Sequence, residues 1–342
     1  MTDTISEPSA CILPLDSPQA DLASAGGKGA NLSRLARAGF PVPAGFLVTT
    51  CAYQSFVSSN QIEKSILACL PDGTDSSDGT PAALEAASAQ IRDLFISGKM
   101  PDDLAGGLLE AYTRLGEPAV AVRSSATAED LPGMSFAGQQ DTFLNVIGRP
   151  ALLLAVVECW ASLWTGRAIG YRSRNHVPHR TAALAVVVQK MVESQVSGVL
   201  FTANPVSGLR SETVIDATFG LGEALVSGKV EPDHYVVDPG GGLILARSLG
   251  AKALSIRGQA GGGTLTRPED SANRQALPDE QILSLARLGQ QVAQGLYGFP
   301  QDIEWAVAGD QLYLLQSRPI TSLFPTPEGM APEPLKVMFS FA

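Results

Sequence analysis

Residues 301–321 read QDIEWAVAGDQLYLLQSRPIT, and the fold turns on how this stretch pairs with itself. Asp302 and Glu304 are spaced i, i+2, as are Gln316 and Arg318. Each pair lies in an alternating apolar run of strand type. Side chains two apart on a strand share a face. Gly309-Asp310 between the runs is a turn signal. A two-residue loop with regular pairing sets Glu304 against Leu315 and sends the acids and Gln316 to opposite faces. A three-residue loop or a bulge sets Glu304 against Gln316 and gathers all four groups on one face; the second arrangement is the one predicted. Two carboxylates, an amide oxygen and a guanidinium on one surface are hard oxygen ligands for Mg²⁺ beside a phosphate clamp. An edge hairpin with a solvated charged face is the alternative use of the same residues.

A chain of 342 residues can bury one large core or several smaller ones. Its 45% hydrophobic and 17% charged residues suit a globular protein. A net charge of −10 argues against non-specific nucleic-acid binding, so any anionic nucleotide must meet locally concentrated cations. Cys11, Cys51, Cys69 and Cys159 have no CxxC or Cys/His metal spacing and read as reduced thiols in a cytosolic protein. The longest apolar run, 151–164, is interrupted by Glu158 and is too short to span a membrane. The first residues lack a basic-then-apolar signal pattern. A cytoplasmic protein without membrane or nucleic-acid partners is therefore expected.

Other stretches add candidate chemistry. Gly26-Gly27-Lys28-Gly29 precedes Asn31, Leu32, Leu35 and Ala36 at helical spacing, with Gly39 at the C-terminal cap position. A Gly-rich loop opening onto a helix offers backbone N–H groups and a positive dipole end to an anion, and Lys28 adds a full charge. The spacing is not Walker A, and a plain loop reads equally from GGKG. Residues 51–118 read as helices around a polar insert, 71–81, with no evident chemistry. A strand at 119–122 delivers Arg123 at its end, followed by Ser124, Ser125, Thr127 and a loop with Pro132, Gly133 and Gly138. That suits phosphate capture, since Arg presents a fork of donors and small residues admit backbone. Arg123 pairing with Glu129 or Asp130 to hold the loop fits the same composition.

Residues 149–175 read as an amphipathic helical region, and His176 and His179 as solvated histidines in a Pro-containing loop. Strands are expected at 184–191 and 198–202, then a strand with Asp216, a Gly loop at Gly220 and Gly222, and a short helix opened by Glu223. Residues 278–294 read as a helix leading into the opening hairpin.

SFAGQQDTFLN, FGLGEALVSG and QDIEW…QSRPIT, with GGKG and FTANP, together resemble the N-terminal ATP-binding domain of the pyruvate phosphate dikinase and phosphoenolpyruvate synthase family. The wording is similar to that of the related rifampicin phosphotransferases. The resemblance runs from about residue 26 to 321. It implies an α/β (α+β) fold of ATP-grasp type, two lobes with the nucleotide between them. The expected division is a tail at 1–10, an N-terminal lobe at 11–180, a C-terminal lobe at 181–324 and a Pro-rich exit at 325–342. By the family's motifs, Lys28 and Arg123 contact ATP phosphates. Asp302, Glu304 and Gln316 hold Mg²⁺ and the phosphate chain, and Arg318 supports the transferring group. Arg123, Glu304 and Arg318 are thus the expected catalytic residues. Thr202 is placed near the phosphates, Gln189, Lys190, Met191 and Val192 at the edge that hydrogen-bonds adenine, and Glu223 on the ribose side.

In that family ATP is cleaved to AMP and its β-phosphate moves to a histidine on a separate domain, which then phosphorylates pyruvate or, in the rifampicin enzymes, the antibiotic. Here only His176, His179 and His234 are present, none in the Gly-rich, Thr-containing context of the family's phosphohistidine. The abrupt hydrophobic C-terminus suggests a fragment or one part of a split enzyme. The expectation is an ATP-binding, phosphoryl-donating domain whose acceptor histidine lies on another domain or protein. A nucleotide-binding regulatory module is the alternative.

Overall fold

A computed structural model describes residues 10–71, 79–127, 141–270 and 274–323. Glu129, Asp130, Pro132, Gly133, Gly138, the middle of the 71–81 insert, the 1–9 tail and the 325–342 exit lie outside the described residues. The chain divides into two compact units. One comprises Pro43–Met191, the segment ending at Arg37, and Gly258–Gly263. The other comprises Ala38–Val42, Val192–Arg257 and the segment beginning at Thr264. The observed class is mixed α and β with antiparallel sheets.

The first unit contains β1 (Ile12–Pro14), α1 (Leu22–Arg37), β2 (Gly45–Val48), α2 (Thr50–Ser59), α3 (Glu63–Cys69), α4 (Pro81–Ser97), α5 (Asp102–Arg114), β3 (Val120–Ala126), β4 (Thr142–Val146), α6 (Arg149–Ser162), α7 (Gly166–Arg174) and β5 (Leu184–Lys190). Its sheet runs β1-β2-β5-β3-β4, each pair antiparallel. β5 is the valine-rich central strand, and both its faces are buried. Because β5 pairs with β2 and β3, the 180/181 division expected from sequence falls inside this unit, and the chain leaves it after Met191. Behind the sheet, Phe56 and Phe95 stack at 5.7 Å and Trp160 lies 5.2 Å from Phe56. Such contacts add about 0.5–1.5 kcal/mol each beyond area burial. The 26 residues Arg149–Arg174 are long and apolar enough to cross a membrane by composition, but 72% of that window is buried in this core.

The second unit contains β6 (Val196–Phe201), β7 (Thr213–Phe219), α8 (Glu223–Val226), β8 (Asp233–Asp238), β9 (Leu243–Ser248), β10 (Leu254–Gly258), β11 (Thr264–Pro268), α9 (Asp279–Gln290), β12 (Gln301–Ala308) and β13 (Gln311–Pro319). A π-helical turn, Gln291–Tyr297, continues α9. Six strands form an antiparallel sheet in the order β13-β12-β6-β7-β8-β9. α9 packs its Ile282, Leu285 and Gly289 stripe on one face of it, where a side chain at 289 would meet Leu200. A buried ion pair, Lys252 with Asp233, ties β8 to the segment before β10. Asp233 also accepts from Tyr235 Oη at 2.9 Å, Ala276 N at 2.7 Å and Gly250 N at 3.1 Å.

Candidate functional site

The β12–β13 hairpin takes the bulged register. Gly309, at φ +58°, and Asp310 make a two-residue turn, and Ala308 faces Gln311. Up to Trp305 opposite Leu314 the ladder is regular. Glu304 then faces Gln316, so β13 spends one more residue than β12 at this step. Asp302 in turn faces Arg318. The shift brings both carboxylates, the amide and the guanidinium to one face, opposite the face that buries Ile303, Trp305 and Val307.

Asp302 is buried, and Arg318 grips one of its oxygens, with Nε at 2.8 Å and an Nη at 2.7 Å. Burial raises the Asp302 carboxyl above its ordinary pKa; Arg318 pulls it back and the neighbouring Glu304 pushes it up. Gln316 is 6% exposed, and its Oε1 is buried with no hydrogen-bond donor among the described residues. This face therefore holds two adjacent acids and one oxygen acceptor that the fold leaves unsatisfied. Among the described residues no group of three or more His, Cys, Asp and Glu could hold a metal ion; the oxygen set here is two carboxylates and an amide.

The same face continues across β6 and β7. Glu304 is opposite Val199, Val199 opposite Asp216, and Asp216 opposite His234. His234 Nδ1 and Asp216 Oδ1 are 2.7 Å apart. At roughly 4.8 Å per strand, Asp216 is about 10 Å and His234 about 14 Å along the sheet from Glu304. Sequence reading placed Asp216 on a strand but not on this face. The missing signal is the strand order, which no local period encodes.

Two expected members sit elsewhere in the second unit. Thr202 is buried; its hydroxyl accepts from Gln301 N at 2.7 Å and its methyl lies beside Gly289 of α9. Its side chain thus holds the start of β12 from the helix side rather than joining the polar face. Glu223 opens α8 and is half-buried.

In the first unit, the GGKG stretch is helical rather than a loop, except at Gly26. Gly26 has φ +67°, and a Cβ there would lie 2.2 Å from Ser125 O, so only glycine fits. Ser125 Oγ spans the break, accepting from Gly29 N at 3.0 Å and donating to Ala25 O at 2.7 Å. β3 runs on through Ser124 and Ser125 instead of ending at Arg123. Arg123, two residues before Ser125, projects from the same face of β3 and so toward α1, where Lys28 begins the helix beyond the break. Gln189 is buried, with Nε2 bonded to Pro43 O at 3.2 Å. Lys190 N donates to Ala44 O at 2.8 Å and Met191 N to Ala119 O at 2.9 Å, so these two backbone donors of the stretch expected at the adenine edge are engaged in the fold. Val192 opens the Val192–Arg257 segment of the second unit.

His179 is not solvated, as its loop position had suggested. It is buried, and its Nδ1 accepts from Arg172 Nε at 3.1 Å.

Residues 22–336 match the family described as the pyruvate phosphate dikinase AMP/ATP-binding domain. The chain belongs to that family. It is 48% identical to a rifampicin phosphotransferase of Streptomyces sviceus over 91% of its own length and 36% of the relative's. A rifampicin phosphotransferase of Bacillus subtilis is 45% identical over 90% of the chain and 35% of the relative. A phosphoenolpyruvate synthase of Pyrococcus furiosus is 42% identical over 89% of the chain and 42% of the relative. The chain thus spans well under half the length of these relatives.

Proposed function

We propose that this chain binds MgATP and donates the β-phosphate of ATP to a histidine carried by another domain or by a separate protein, as an ATP-dependent phosphotransferase of dikinase type. One observation carries the reading: Gln316 Oε1 is a buried acceptor without a donor among the described residues, on the same face as Asp302 and Glu304. An unsatisfied buried oxygen is costly unless something supplies positive charge to it. The set fits Mg²⁺, which takes one or two carboxylates plus other oxygens. Asp302, Glu304 and Gln316 would hold the ion. When bound, it neutralises phosphate charge and aligns the reacting oxygens.

The remaining roles belong to the chain. Arg318, anchored on Asp302, presents its fork to the transferring phosphoryl group. Lys28 and Arg123 neutralise the phosphate tail, and the Ser125 stitch fixes the helix start from which Lys28 reaches. With the Lys190 and Met191 N–H groups engaged, adenine recognition falls to the other groups of Gln189–Val192. Glu223 takes the ribose side. The ATP-grasp assignment is part of the same proposal. In the transfer, a β-phosphorus to histidine-nitrogen bond forms, the bond to AMP breaks, and the γ-phosphate leaves to water. Positioning and charge neutralisation supply most of the catalysis in such a step.

A second reading is that the acceptor histidine serves a rifampicin phosphotransferase rather than a phosphoenolpyruvate synthase. It is favoured by 48% against 42% identity to the two kinds of relative. The test is transfer from β-labelled ATP with Mg²⁺ to protein in an extract of the source cell. Acid-labile label on a protein, AMP formed in step, and loss of both with Glu304→Gln are expected. MgATP binding with neither label nor AMP would instead make the chain a nucleotide-binding regulatory module.

A further inference from the structure

A pocket of about 520 Å³ is lined wholly by residues of the first unit, and neither Lys28 nor Arg123 is among them. Its walls include Tyr53, Lys64, Leu67, Trp164, His179 and Arg180. The size is that of a small-molecule site, commonly about 300–1,000 Å³.

The buried groups in its walls and in contact with them have more hydrogen-bond donors than acceptors. Arg172 is 4% exposed, and no carboxylate among the described residues meets it. Its Nη1 donates to Leu163 O at 2.8 Å, its Nε donates to His179 Nδ1, and its guanidinium stacks 4.8 Å over Trp164. Its Nη2 is buried with no partner among the described residues. Burial lowers its pKa to about 10, which leaves it charged at neutral pH. Because His179 Nδ1 accepts from Arg172, the ring proton sits on Nε2, which faces Ser173 Oγ at 3.2 Å. His179 therefore brings no negative charge. Tyr53 is also buried; its oxygen accepts from Trp164 Nε1 at 3.0 Å, while its own proton has no acceptor among the described residues. A buried arginine is ordinarily paired with an acid. Here Trp164 and His179, which both touch Arg172, are walls of the pocket.

Charge at the rim has the same sign. Glu63 is 3.7 Å from Arg180, leaving Lys64 without a counter-charge among the pocket's walls. Part of the lining is apolar, with Val57, Ile66 and Leu67. A bare inorganic anion would leave that part against water, and a neutral apolar molecule would leave the donors unmet.

We propose that this pocket is a second ligand site, which takes a small organic carboxylate with an apolar body. The carboxylate accepts from the Tyr53 hydroxyl, Arg172 and Lys64 supply the countercharge, and the body packs on Leu67 and its neighbours. This inference is independent of the reading of the nucleotide site.

The test uses 3-phenylpropionate and its neutral amide, 3-phenylpropionamide, titrated against the full chain. Binding is followed by tryptophan fluorescence and by saturation-transfer NMR of the probe. The acid should bind at least about tenfold more tightly than the amide, a difference of 1.4 kcal/mol. Lys64→Gln, at an exposed position that leaves the fold intact, should reduce that preference, and Tyr53→Phe should reduce it further. No saturable binding of the acid at millimolar concentration, equal binding of acid and amide, or an unchanged preference in Lys64→Gln would overturn the proposal.

Discussion

Replacing Gln316 by methionine should stabilise the metal-free chain while weakening its grip on MgATP. Gln316 is 6% exposed, and its Oε1 has no donor among the described residues. A buried polar atom left without a partner costs about 1–3 kcal/mol. Methionine nearly matches glutamine in length and volume and removes that atom, so repacking costs should be small. A net gain of about 1 kcal/mol is expected from the lower end of that range. In urea with EDTA, the unfolding midpoint should rise at unchanged slope. The same variant loses one of three proposed oxygen ligands, so MgATP should bind at least about tenfold more weakly, or 1.4 kcal/mol. ATP without Mg²⁺ should bind as to the wild type. A variant that is less stable without metal, or that keeps wild-type MgATP affinity, would refute the claim that this oxygen waits for a cation. Stability gained where function is lost is the usual signature of a site residue.

Other consequences follow from the same geometry. Burial raises the Asp302 pKa, so its folded form holds the proton more tightly than the unfolded chain does. The stability from this group is complete below the unfolded carboxylate value and is lost as pH rises through the folded one. Asp302→Asn cannot ionise, so its metal-free Tm relative to wild type should move in the variant's favour as pH rises from the ordinary carboxylate range toward neutral; a difference that is flat, or that moves the other way, contradicts the assignment. Asp233→Ala strands Lys252 as a fully buried charge and should cost about 3–5 kcal/mol in denaturant unfolding, with partial recovery when Lys252→Met is added. A loss under 1 kcal/mol would mean water reaches the lysine. Ser125→Ala deprives Gly29 N–H and Ala25 C=O of their shared partner and should destabilise by about 1–3 kcal/mol, with Mg²⁺-independent ATP affinity falling as Lys28 loses its fixed helix start. Unchanged nucleotide affinity would place the α1 break outside the site.

The hairpin was legible because strand parity left one way to gather four polar groups, and the bulge supplied it at Leu315. Helix and strand positions along much of the chain followed from period and from glycine and proline punctuation, as with α1 ending before Gly39. What escaped depends on long-range partners. Nothing local in LAVVVQK says that β5 inserts between β2 and β3 and so belongs to the first unit. The bond that the Thr202 hydroxyl accepts from Gln301 N–H exists only once β6 meets β12. His179 reads as solvated in a Pro-rich loop, but Arg172, a full helix turn and more upstream, draws it inside. The break at Gly26 rather than across GGKG is set by Ser125, 99 residues away by the numbering.

The most direct test of the central claim is the Mg²⁺ dependence of ATP binding, measured calorimetrically on the wild type and on Glu304→Gln. The account predicts that Mg²⁺ strengthens ATP binding to the wild type and that this gain disappears in the variant while its circular dichroism is unchanged. An equal Mg²⁺ gain in the two proteins would contradict the assignment of the β12–β13 face as the metal and phosphate site.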